Sequence, residues 1–298
     1  MFLYDGDMPR CHRPGSAGEI AIAALLLAAA AGGCAAPLQT RVAGAQPVRE
    51  FTAPVALHDE TLTLHLASPA AGATGSGPLI LYASGDGGWF GAAVGMFRTI
   101  AATGRPTVGF STKSFMHIEQ QSVRPLTVAD IVEDYQRIIA TARESLQLPT
   151  ETPVVITGWS RGASLGVLVA SWHAFTSQLA GLVAIGLDAS ERLEVGADSD
   201  DDPVPGAAAA ADERPSRSHA MYPLLARIAP RRSVVIQASG DGYLPAADAR
   251  ALFGSDSTAS RLIAIDARNH RFGGGESAFA AALVDAVTWV SSTGEEQR

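Results

Sequence analysis

Pro153-Val154-Val155-Ile156-Thr157-Gly158-Trp159-Ser160-Arg161-Gly162-Ala163-Ser164-Leu165-Gly166 is the most informative stretch of the chain. Its β-branched half, Val154 to Thr157, reads as a buried parallel strand, because strands covered on both faces are continuously apolar. The run breaks at Gly158, and the small or apolar residues from Ala163 to Ser171 read as a helix. Between them lies Gly158-Trp159-Ser160-Arg161-Gly162, a G-x-S-x-G pentapeptide. A serine on a tight strand-to-helix turn needs small neighbours, since the backbone packs closely on either side. That turn would present the Ser160 hydroxyl at the carboxyl end of a sheet, above a helix N-terminus whose partial positive charge favours a developing oxyanion. In a Gly-rich chain the pentapeptide alone arises by chance. The strand before it and the helix after it make Ser160 a candidate nucleophile.

Working outward, strands and helices alternate. Phe51 to Val55 and the alternating Thr61-Leu62-Thr63-Leu64-His65-Leu66 precede the first helix and read as an antiparallel edge. Leu79 to Tyr82, Pro106 to Phe110, Leu182 to Ile185, Ser233 to Gln237 and Leu262 to Ile265 are further strands. Helices are expected near Ala92 to Ala102, from Thr127 onward, over Ala246 to Phe253, and around Phe279 to Val290. Thr127 and Asp130 are spaced as a capping box, with Ile131, Tyr135, Ile138, Ile139, Ala142 and Leu146 on one face. Lys113, Phe115 and His117 are read as part of a polar loop. The order predicts a mostly parallel sheet with helices on both faces and an antiparallel N-terminal edge. It matches the α/β-hydrolase fold.

A serine hydroxyl is a poor nucleophile until a base takes its proton, and the base needs an orienting carboxylate. Two late strands end in suitable loops: Val234 to Pro245 carries Asp241, and Leu262 to Gly273 carries His270. Ser160, Asp241 and His270 would then sit at the carboxyl ends of three strands, where α/β folds gather their chemistry. Asp188, after the preceding strand, is the rival acid, and Asp241 could serve only as a turn residue before Gly242. An oxyanion needs two donors. The backbone N–H of Arg161 is one, and the Ser84-Gly85-Asp86-Gly87 loop offers the other, with Asp86 N–H preferred. That loop lacks the G-x-G-x-x-G spacing of a dinucleotide site and a Walker lysine. No H-x-x-x-H spacing suggests zinc, and no metal or organic cofactor is implied.

Composition narrows the function classes. Of 298 residues, 47% are hydrophobic and 17% charged, enough apolar content for a sizeable core. A net charge of −8 and the lack of a basic cluster argue against a nucleic-acid partner. The two cysteines, Cys11 and Cys34, both precede the folded region, so a disulfide framework in the body is excluded. Arg10 and Arg13, an apolar run from Ile20 to Ala31, and Ala31-Gly32-Gly33-Cys34 read as an export signal over residues 1–33, with translation starting at Met1 or Met8. The last four residues resemble a bacterial lipoprotein box with Cys34 as the lipidated first residue; Ala31 departs from the usual Leu, and ordinary cleavage nearby is the alternative. Residues 34–50 then form a tether and 51–298 the hydrolase domain. An acidic, Pro- and Ala-rich insertion near 196–218 reads as a cap or an ordinary solvated loop.

With these segments in place, the chain resembles the bacterial VirJ family, which includes the AcvB virulence proteins. The residues carrying the resemblance are Ser84-Gly85-Asp86-Gly87-Gly88-Trp89, Gly158-Trp159-Ser160-Arg161-Gly162-Ala163, and the late Asp241 and His270. Ser164 stands where an Asp is expected, and the 196–218 insertion is unusual. The resemblance implies an exported hydrolase of lysyl-phosphatidylglycerol; with the lipoprotein box at Cys34, the expectation is a periplasmic lipoprotein meeting an aminoacylated phospholipid at the membrane surface. Asp86 could then pair with the lysyl ammonium, and Trp89 and Phe90 could line the mouth, with core packing the other reading for Trp89. The alternatives are a general carboxylesterase or lipase, and a non-catalytic secretion-accessory protein on the same fold.

Overall fold

The computed structural model describes residues 48–69, 77–120, 126–193 and 218–292. The export signal, Cys34, most of the tether and nearly all of the acidic insertion lie outside the described residues.

Strands β1 (Val48–Leu57) and β2 (Glu60–Pro69) form a hairpin, followed by β3 (Leu79–Ala83), α1 (Ala92–Ala101), β4 (Thr107–Phe110), α2 (Thr112–Gln120) and α3 (Val128–Ser145). Then come β5 (Val154–Trp159), α4 (Arg161–Ala170), β6 (Leu179–Ile185), β7 (Ser190–Arg192), β8 (Ser218–Ala220) and α5 (Met221–Leu225). The chain closes with β9 (Arg232–Ala238), α6 (Ala246–Phe253), β10 (Ser260–Ile265) and α7 (Glu276–Ser291). Eight strands make one sheet in the order β1-β2-β4-β3-β5-β6-β9-β10. The pairs from β4 to β10 are parallel, while β1–β2 and β2–β4 are antiparallel.

The central strands are apolar along their whole length because both faces are covered. One face packs Leu81, Val154, Ile156 and Val235 with Phe115, Ile131, Tyr135, Ile138, Leu165 and Leu168 of α2, α3 and α4. The other packs Ile80, Val155, Val183 and Ile236 under Phe97, Leu283, Val287 and Val290 of α1 and α7. In β2 the alternation sends Leu62, Leu64 and Leu66 to the first face, the period-2 signature of a strand polar on its other side.

Three sequence expectations change. The tether boundary moves, since β1 begins at Val48 and pairs that residue with Pro69. The polar loop around Lys113 and His117 is the helix α2. Its first turn is capped by the Ser111 hydroxyl, which accepts from Ser114 N at 3.1 Å, and Phe115, Met116 and Ile118 are buried. Nine residues carry too few apolar positions for that period to stand out. The small β7–β8 sheet brackets the segment 194–217 and was not foreseen, because three-residue strands pair through contacts that local sequence does not encode.

Candidate active site

Ser160 closes β5 and opens α4 with φ 57° and ψ −125°, a conformation that costs an L-residue about 1–3 kcal/mol. The strain is held by the two flanking glycines. A Cβ on Gly158 would run into the Gly162 carbonyl, and one on Gly162 into the carbonyls of Ala83 and Ser84. Ladder bonds continue past the strand ends, Ser160 N donating to Ile185 O at 2.8 Å and Gly186 N to Ile236 O at 2.9 Å. The turn is therefore fixed to β6, and the end of β6 in turn to β9.

Asp241 follows β9 and His270 follows β10, and the fold brings them together. His270 Nδ1 lies 2.7 Å from Asp241 Oδ2. The carboxylate also accepts from Gln237 Nε2 at 3.1 Å on Oδ2 and from Tyr243 N at 2.9 Å on Oδ1. Three donors thus fix a fully buried carboxylate. Because a carboxylate accepts, Nδ1 carries the imidazole proton, and the lone pair is left on Nε2. Nε2 is itself buried, with no hydrogen-bond partner among the described residues. The ring lies over Gly186, where an added Cβ would come within 2.7 Å of Cε1. It stacks on Trp159 at 5.8 Å, and exposed Tyr243 meets it edge-on at 4.9 Å.

Asp188, the rival acid, makes no hydrogen bond to His270. Half-buried after β6, it has a pKa raised first by burial and further by Asp241 and Asp86, against a lowering pull from His270. It lies within electrostatic reach of the imidazole without orienting it.

The loop after β3 sits against the serine: a Cβ on Gly85 would lie 3.2 Å from Ser160 Cβ. Gly88 N donates to Gly85 O at 3.0 Å, so Asp86 occupies a turn whose own hydrogen bond leaves its amide out. Arg161 N is at the first position of α4, where backbone donors have no acceptor within the helix. The Arg161 side chain ties the region together, reaching Asp86 Oδ1 at 3.4 Å, Glu191 Oε1 at 3.1 Å and Arg192 O at 3.4 Å. Burial alone would lower the guanidinium pKa, but Glu191 and Asp86 outweigh it and raise it. Burial raises the Glu191 pKa, with Arg161 opposing.

Trp89 goes elsewhere. It is half-buried, stacked on His65 at 4.1 Å and 5° and packed edge-on to Phe97 at 5.1 Å, which is the packing role and not a place beside the imidazole. Phe90 is 64% exposed over Gly87, on the same loop as Asp86. Three neighbours of the site escaped the sequence reading. Gln237 carried a signal, a polar residue ending an apolar strand. Tyr243 and Glu191 carried none, since their partners are distant in sequence.

Residues 78–197 match a family model described as bacterial virulence protein (VirJ). No curated protein matches the chain. Among solved structures, a dienelactone hydrolase from Anabaena variabilis is 15% identical, covering 81% of this chain and 98% of that one at TM-score 0.53. Est1E from Butyrivibrio proteoclasticus is 10% identical, with 80% and 98% covered at TM-score 0.54. An α/β serine hydrolase without lid from Xanthomonas campestris is 13% identical, with 83% and 97% covered at TM-score 0.53. At such identities the likeness is one of fold. Residues 78–197 thus resemble the VirJ family in sequence, and the described residues take an α/β-hydrolase fold.

Proposed function

We propose that the chain is a serine hydrolase cleaving a carboxylic ester through an acyl-enzyme. One observation carries this reading: the 2.7 Å His270–Asp241 contact, with the imidazole stacked on Trp159, the residue before a serine held at positive φ on the strand-to-helix turn. Ser160 Oγ attacks the ester carbonyl while its proton passes to His270 Nε2. The C–O bond to the leaving alcohol then breaks, and the alcohol takes that proton. Water repeats the sequence on the acyl-enzyme and frees the acid. Asp241 holds the imidazole tautomer and stabilises the imidazolium, and the amides of Arg161 and Asp86 donate to the oxyanion. The VirJ match supports this reaction class, as do structural neighbours described as a dienelactone hydrolase, an esterase domain and an α/β serine hydrolase.

The substrate reading is the aminoacyl ester of lysyl-phosphatidylglycerol, which the family resemblance implies. The acidic side of the site suits a cationic acyl group, because Asp86 and Asp188 are close enough to raise the latter's pKa. Asp86 is shared with Arg161, so an incoming ammonium competes with that guanidinium. In the cell the enzyme would be exported by residues 1–33 and held at the periplasmic membrane surface through Cys34. The test is lysine release from lysyl-phosphatidylglycerol vesicles by the purified protein, beside a p-nitrophenyl ester and Ser160→Ala. Release by the unmodified chain alone is expected. Cleavage of the simple ester only would leave a general carboxylesterase or lipase, and silence on both from a folded protein would leave the accessory role.

A further inference from the structure

At the edge of the sheet remote from β10, three segments that no sequence spacing links come together. His58 stands in the β1–β2 turn, Glu119 near the end of α2 and Asp134 in the second turn of α3. His58 Nε2 lies 3.3 Å from Asp134 Oδ2 and 3.4 Å from Glu119 Oε1, with the three atoms within 4.8 Å of one another. Both carboxylate side chains are only 1% exposed, while the imidazole is 40% exposed. Asp134 Oδ1 accepts from Arg137 Nη1 at 3.0 Å, which fixes the carboxylate so that Oδ2 faces the cluster. That Oδ2 is buried and accepts no hydrogen bond.

The spacing is open enough for a shared ion. A charge-assisted N–H···O bond runs about 2.7–2.9 Å, shorter than either contact. Ligands held tetrahedrally on bonds of about 2.0–2.1 Å stand about 3.3–3.4 Å apart, which matches both. We propose that His58, Glu119 and Asp134 bind a divalent transition-metal ion, with zinc favoured by the nitrogen and carboxylate donors and water at the fourth, solvent-facing position. Two carboxylates buried side by side repel each other, and a cation between them offsets that cost. The ion joins the edge hairpin to α2 and α3, so its work is structural and separate from the chemistry at Ser160.

The full chain, stripped with chelator and dialysed, would be titrated with zinc chloride by calorimetry and thermal unfolding. Cobalt(II) substitution would be read by visible absorption. The variant is His58→Asn: the position has φ 51°, which asparagine tolerates, and the half-exposed site spares the core. One equivalent of zinc should bind, and at a hundredfold excess over Kd the melting temperature should rise by about 5–10 °C. Cobalt should give the intense band of a tetrahedral site. His58→Asn should lose at least tenfold in affinity together with the thermal response, while ester hydrolysis stays unchanged. An equal zinc response in His58→Asn would overturn the proposal. So would a native chain whose melting ignores zinc.

Discussion

Asp241 and Asp188 are both aspartates following strands that end at the site, yet only one touches His270. Asp241 is buried and held by three donors, so removing its charge should break the imidazole tautomer and not merely weaken a field. Asp241→Asn is expected to lower kcat for ester hydrolysis by about 10³–10⁴-fold, while Asp188→Asn costs less than about tenfold. Stopped-flow acylation with a p-nitrophenyl ester checks both. Asp188 also makes a stability prediction. Its folded-state pKa is raised, so its contribution is fully present below the ordinary carboxylate range and is lost as pH climbs through the raised value. Asp188→Asn should therefore melt like the unmodified chain near pH 3 and above it at neutral pH. A melting difference that shrinks with rising pH would contradict this.

The unit that matters among the elements is β5–turn–α4, gripped by the loop after β3. Gly162 approaches the Ala83 and Ser84 carbonyls so closely that a methyl group has no room, and the obstacle is backbone, not a flexible side chain. Gly162→Ala should cost at least about 2 kcal/mol in denaturant unfolding and remove activity with it, since the displaced loop carries Asp86. Much of this unit was legible beforehand. A β-branched run, a G-x-S-x-G turn and a small-residue helix each have local causes. The same holds for α3, where Thr127 and Asp130 form the expected capping box, Thr127 N donating to Asp130 Oδ2 at 2.9 Å. Helix α2 was missed because its apolar residues are few and its cap, Ser111, sits directly behind a strand. Trp89 was ambiguous because an aromatic after a glycine loop serves a mouth or a core equally well. Only its stack on His65, from a different strand, decides the matter.

For the whole molecule, the proposed anchor and the proposed catalysis belong to different parts of the chain and should separate. Cys34→Ser in a bacterial host is expected to move the protein from the membrane fraction to the soluble periplasmic fraction while leaving hydrolysis of a soluble ester intact. Membrane retention of that variant would refute lipidation at Cys34. Alternating strands and helices, strand-end positions for Ser160, Asp241 and His270, and the antiparallel N-terminal pair were all readable from the chain itself. These features follow from period, turn chemistry and chain order, which act between near neighbours. Tertiary structure alone decided that Asp241 and not Asp188 meets His270, and that Arg161 spans Asp86 and Glu191. It also decided that His58, Glu119 and Asp134 converge. Each of those contacts joins residues on separate elements, and their distances are set by how strands order in the sheet and helices pack on it, which no local pattern specifies.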